Sequence, residues 1–153
     1  NNRPEWSQKV VNAIVKAQLW TRENRAEAAQ LLAKDGNNRY TPHSSSVLQR
    51  VLAPAISERA GYEADGAIQQ VSWNEQRIDF QPYPFPSYTE ELVTRLKSTL
   101  IQGDNQFLAA LDPKHVAADL VDDRFVKNSI GAVGGLKAFG LPDSFERTEE
   151  FGF

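Results

Sequence analysis

The run Trp20-Thr21-Arg22-Glu23-Asn24-Arg25 passes directly into Ala26-Glu27-Ala28-Ala29-Gln30-Leu31-Leu32-Ala33, so two helical patterns must meet across a short polar break. Before the break, Trp6, Val10 and Ile14, with Val11, Val15 and Leu19, recur at four-residue spacing. That period draws one apolar stripe on a helix from about residue 5 to residue 20. Pro4 fits its first turn, where a missing N–H costs nothing. Thr21 is placed to cap the second helix, with Glu23 in its first turn against the positive end of the dipole. This helix is expected to reach about Lys34 and to stop at Gly36. Thr41-Pro42 then reads as N-cap and first residue of a third helix, which buries Val47, Leu48, Val51 and Leu52 and is limited by Pro54. Such a series holds or frames something and carries almost no reactive groups.

Residues 61–86 break the helical pattern at Gly61, Asp65-Gly66 and Pro82, Pro84 and Pro86. Gln81-Pro82-Tyr83-Pro84-Phe85-Pro86 must be extended, because each residue before a proline is pushed out of the helical region. Short strands are expected at 70–73 and 77–80. The many aromatics here, Tyr62, Trp73, Phe80, Tyr83 and Phe85, mark an ordered loop. Ser87-Tyr88-Thr89-Glu90 has the pattern of a capping box, opening a helix with Leu92, Val93, Leu96, Leu100 and Ile101 on its apolar face and Gly103 at its end. Asp112-Pro113 starts a short helix. Asp122 is expected to cap another, carrying Phe125, Val126, Ile130 and Val133 and closed by Gly134-Gly135. The stretch from Leu136 to Phe153 reads as increasingly surface-like. The expected fold is mainly α with one long aromatic, proline-rich loop, divided into a helical portion, 1–142, and a surface tail, 143–153.

The net charge of −3 supplies no basic field, which makes nucleic acid and anionic membrane surfaces poor partners. With no cysteine there is no thiol catalysis, thiolate metal site or disulfide. The chain also lacks methionine and starts Asn1-Asn2-Arg3-Pro4, so it is expected to be processed or cut, with any targeting segment upstream. No apolar run approaches the ~20 residues that span a bilayer.

Reactive constellations are scarce. His43 and His115 are the only histidines, and the pairing of His115 with Asp119, four residues on, falls short of a metal site. The serines beside His43 (Ser44, Ser45, Ser46) lie in no nucleophile-elbow pattern and fit a helix start. Asp122-Asp123 and Glu149-Glu150 are sequence neighbours, which do not face each other across a substrate; capping and a solvated tail account for them. Gly131-Ala132-Val133-Gly134-Gly135 follows a helix and lacks the Lys-Ser/Thr ending of a phosphate loop. No catalytic residue, metal ligand or cofactor is therefore expected. One group remains. Tyr83, Phe85, Ser87 and Tyr88 gather aromatic faces and a hydroxyl at a helix N-terminus, where backbone N–H groups can hold an anion. The simpler alternative is that Ser87 only caps and the aromatics only seal the loop onto the core.

Three segments together resemble the C-terminal portion of solute-binding proteins of ABC importers in the nitrate/sulfonate/taurine group, which includes bicarbonate and thiamine-precursor binders. They are Ala17-Gln18-Leu19-Trp20 with Glu23-Asn24-Arg25-Ala26-Glu27-Ala29, then Tyr83-Pro84-Phe85-Pro86-Ser87, then Asp122-Asp123-Arg124-Phe125-Val126. Their order and spacing, over roughly residues 5–142, carry the likeness. The resemblance implies a helical C-terminal fragment of a two-lobed α/β periplasmic-binding fold (type II) that captures a small anionic solute without reaction and presents it to an ABC permease. It implies a periplasmic or extracytoplasmic location, with a lipid-anchored parent as one form, and places Ser87 and Tyr88 towards the ligand cleft. Under it, residues 1–153 alone should bind solute poorly and should self-associate through helix faces left uncovered. The alternative from another class is a free-standing helical interaction module gripping a partner with the 62–88 aromatic loop.

Overall fold

A computed structural model describes residues 2–36, 38–52, 79–100 and 102–149. Among these there are seven α-helices and no strand, so the mainly helical expectation is met. The helices are α1 (Pro4–Glu23), α2 (Arg25–Leu32), α3 (Ser45–Leu52), α4 (Pro86–Leu96), α5 (Gln106–Ala109), α6 (Pro113–Leu120) and α7 (Arg124–Ala132), followed by a 3-10 turn at Leu136–Phe139. The strand expected at 70–73 and the Pro54 helix stop lie outside the described residues. At 79–80, the described end of the other expected strand, the backbone is irregular. The chain divides into two compact units: residues 1–16 with 82–153, and residues 17–81.

In the 17–81 unit the break falls later than the sequence pattern placed it. Thr21 lies inside α1 and its hydroxyl donates back to the Ala17 carbonyl at 2.8 Å. A threonine can satisfy itself in this way within a helix, so its capping chemistry does not end one. The chain breaks at Asn24, whose side-chain amide donates to the Trp20 carbonyl at 2.9 Å. Alanine then decides how closely α2 packs against α3: Ala28, Ala29 and Ala33 are buried, with Leu52 as the large buried side chain. Val47 and Val51, expected in the buried face, are exposed.

The turn between α2 and α3 is fixed by polar contacts. Thr41 sends both its amide and its hydroxyl to the Leu32 carbonyl, at 2.9 and 2.8 Å. The third helix therefore starts at Ser45 and not at Pro42. Asp35 accepts from the Ser45 amide at 2.7 Å and from its hydroxyl at 2.8 Å, which holds its carboxyl below the usual range. Gly36 is required here, since a Cβ would stand 2.1 Å from the Gln30 carbonyl oxygen. We expect Gly36→Ala to destabilise this unit by about 1–3 kcal/mol, as other over-packed positions do. Urea unfolding followed by circular dichroism measures it.

In the unit of residues 1–16 and 82–153, Val15, Tyr83, Phe85, Val93, Leu108, Val126, Ile130, Leu136 and Phe139 are all buried. Only part of the sequence stripe on α1 faces this core: Val15 is buried, whereas the Trp6–Val10–Ile14 row is exposed. Trp6 and Ile14 are 62% and 53% exposed. Beside Val15 the inward face carries Gln8 and Asn12, and Gln8 bonds to the Phe125 carbonyl and the Ser129 hydroxyl, each at 2.9 Å. Ser129, almost fully buried, donates to Asn12 at 2.6 Å. A buried hydroxyl without partners is costly, so this polar cluster sets the rotation of α1 against α7.

Helix α4 packs on α6 and ends at Leu96, well before Gly103. Of its expected apolar face, Val93 is buried while Leu92 and Leu96 are partly exposed and Leu100 is almost fully so. Helix α6 starts as its sequence requires: Asp112 accepts from the Lys114 and His115 amides at 2.9 and 3.1 Å, ahead of Pro113. Helix α7 closes on Gly134 and Gly135, both at positive φ, with the Gly135 amide reaching back to Ile130 at 2.9 Å. Leu136 and Phe139 then return into the core with 2% and 1% exposure, which corrects the surface-like reading of this stretch.

Candidate functional site

The approach to α4 is built from the proline-rich segment. Residues 81–85 are non-helical, as the prolines dictate, but not extended throughout: the Phe85 amide donates to the Tyr83 carbonyl at 3.1 Å, a tight turn at Pro84, and Tyr83 and Phe85 are both buried. Their rings meet edge to face with centroids 4.7 Å apart, and Tyr83 also packs against Phe145 at 4.6 Å. The Tyr83 hydroxyl donates to Asp123 at 2.7 Å, and Lys127 reaches the same carboxylate at 2.8 Å. Burial and the Asp123 carboxylate push the Tyr83 phenol up. Asp123 is held below its ordinary 3.8 by its bond to Lys127 and then by Tyr83. The neighbouring Asp122 is pulled to about 2 by the Arg124 guanidinium, whose Nε lies 2.9 Å away. Asp122 also accepts from the Arg124 amide at 3.3 Å, so it serves the start of α7 although the N-cap position itself is Asp123.

These lowered values have a direction in pH. A carboxylate with a depressed folded value adds stability above its unfolded value and loses it as pH falls through the folded one. We expect near-ultraviolet circular dichroism of the tyrosines to weaken as pH drops below 3.8, and Asp123→Asn to remove that acid limb.

Ser87 and Tyr88, the two residues singled out from sequence, both lie in the first turn of α4. The capping box does not form. Phe85 occupies the N-cap position, Pro86 follows it, and no N-cap side chain bonds into the helix. The Ser87 hydroxyl is turned instead to Glu149, to which it donates at 2.9 Å. Arg147 Nε pairs with that same oxygen at 2.5 Å, and the Arg147 guanidinium carbon sits 3.9 Å from the centre of the Phe85 ring. Glu149 therefore is not part of a solvated tail; its side chain is 11% exposed. Tyr88 is 48% exposed.

An open cleft of about 530 Å³ adjoins this turn. It is walled by the carboxylates of Glu90, Glu91, Asp112 and Glu149 and by the cations of Lys114 and Arg147, with Ser87 at its edge. No group of three or more metal-ligating side chains occurs among the described residues. His115 and Asp119 pair at 3.5 Å in full view of solvent. The sequence pointed to Ser87 and to the aromatics before it. It gave no sign of Arg147 and Glu149, whose roles depend on contacts some sixty residues away along the chain.

No family model and no solved structure matches this chain. A stretch of 82 residues, half of the chain, is 33% identical to the acetyl-coenzyme A carboxylase carboxyl transferase subunit beta of Oenococcus oeni, of which it spans 26%. That likeness covers too little of the relative to show a family.

Proposed function

We propose that this chain is the helical C-terminal portion of an ABC-importer solute-binding protein of the nitrate/sulfonate/taurine group. It binds a small anionic solute and performs no reaction. One observation carries this reading: each segment that bears the resemblance coincides with a structural boundary. The first spans the α1–α2 break at Asn24, the second delivers the proline-rich chain into α4 at Pro86, and the third leads into α7 at Arg124. The parent fold under this proposal is the two-lobed α/β type, located outside the cytoplasm, with a membrane permease as the partner of its closed form.

The first turn of α4 is where this portion meets the solute, through Ser87 and Tyr88. Four carboxylates against two cations in the adjoining cleft favour, within the proposed group, a solute that carries a cation beside its anion, as taurine does. Two exposed apolar rows, Trp6–Val10–Ile14 on α1 and Tyr88–Leu92–Leu96 on α4, are surfaces that the rest of such a protein would cover.

Calorimetric titration with taurine, nitrate and bicarbonate tests the reading. The protein carrying this chain behind its upstream sequence is expected to bind one of the three at micromolar concentration, while residues 1–153 bind it far more weakly and self-associate in sedimentation. Tight binding by residues 1–153 alone, or a clean monomer with an exchange-protected core, speaks against it.

A further inference from the structure

Residues 145–149 cross the entrance of α4 as a strap. Among the described residues no backbone-to-backbone hydrogen bond joins these five to the rest of the unit; the Glu146 amide and carbonyl bond only to the hydroxyl of nearby Ser144, at 3.1 and 3.0 Å, and side chains make the remaining contacts. Phe145 rests on Tyr83, with Lys127 Nζ 5.1 Å from its ring centre. Arg147 lies on the face of Phe85. Glu149 completes the strap by taking the Ser87 hydroxyl and the Arg147 guanidinium. A segment with no backbone-to-backbone bonds to its neighbours separates without breaking a peptide ladder, so its opening is cheap compared with unfolding a helix.

We propose that this strap is a latch and that Glu149 is a built-in competitor of the solute; the proposal rests on the site reading given above. The carboxylate occupies, with one negative charge, the partners that a solute's sulfonate would take: the Ser87 hydroxyl and Arg147. Exchange of the carboxylate for the sulfonate keeps one anion on Arg147, and the displaced Glu149 carboxylate is left to water or to the ammonium end of the solute. A binding-competent form that exists only when the strap is lifted lowers the apparent affinity in proportion to its population. Removing the carboxylate removes the competitor and leaves Arg147 available to the incoming anion.

The experiment is a taurine titration of the 153-residue chain and its variants, followed by amide chemical shifts in nuclear magnetic resonance, which reads weak binding residue by residue. In the wild type, the Arg147 and Glu149 amides are expected to shift together with that of Ser87. Glu149→Gln is expected to bind about tenfold more tightly, the gain for a competent fraction rising from about a tenth to nearly all. Ser87→Ala is expected to lose binding in either background. If Glu149→Gln binds no better than wild type while Ser87→Ala still loses binding, the latch is wrong and the site reading stands. If Ser87→Ala binds as wild type does, both are wrong; if taurine moves no amide near α4 in any variant, Glu149→Gln included, the latch is wrong. Dispersion of the amide spectrum confirms in the same samples that each variant is folded.

Discussion

Phe139→Ala is expected to destabilise the unit formed by residues 1–16 and 82–153 by about 3–5 kcal/mol, the usual cost of emptying a large aromatic site in a packed core. Phe139 is 1% exposed, among the most buried large side chains, and it follows the helix end that Gly134 and Gly135 shape. The loss is a large share of the ~5–15 kcal/mol that keeps a domain folded. Urea unfolding should therefore show a midpoint shifted far down or a chain already unfolded in buffer. Phe107→Ala provides the comparison: the same atoms are removed from a side chain that is 61% exposed. Its effect should stay within about 0.5 kcal/mol, as for ordinary surface changes. Equal effects at the two positions would mean that the segment after α7 is not part of the core.

The second large effect is expected at Tyr83. Its ring touches Phe85 and Phe145, and its hydroxyl holds Asp123. Tyr83→Ala should cost about 3–5 kcal/mol, by the same cavity argument. Tyr83→Phe keeps the ring and removes the bond to a charged acceptor, a loss of about 1.5–3 kcal/mol. The lower part of that range is expected, since Lys127 still pairs with the carboxylate. The difference between the two variants isolates what the ring does in pinning the proline-rich segment. Tyr83→Ala should also loosen the strap, because Phe145 loses the ring on which it rests. Faster tryptic cleavage after Arg147 in this variant than in Tyr83→Phe is the readout.

The features legible in the sequence were those decided within a few residues. Asp112-Pro113 predicts its helix correctly because the cap and the capped amides are neighbours. Alternating prolines at 82, 84 and 86 forbid a helix in the residues that precede each of them, and Gly134-Gly135 end one by their own backbone freedom. Features decided at a distance were not legible. The Ser87 pattern matches a capping box, yet the hydroxyl goes to Glu149, sixty-two residues on. The apolar period of α1 correctly predicts a helix and the burial of Val15 but not the exposure of Trp6, Val10 and Ile14, because the polar partners of Gln8 and Asn12 on α7 turn the helix. Leu136 and Phe139 form too short a run to show a period, so their burial had no signature. At the candidate site, Ser87 and Tyr88 could be named from their own neighbourhood, whereas Arg147 and Glu149 needed the folded chain.

Capture by closure is the central claim, and solution scattering of the protein that carries this chain behind its upstream sequence tests it directly. Under the transporter reading, saturating taurine, nitrate or bicarbonate draws the two lobes together, and the radius of gyration falls. The fall should be reversed by dialysis and absent with a non-binding salt. A radius that stays the same with every one of these solutes at saturation would contradict the claim.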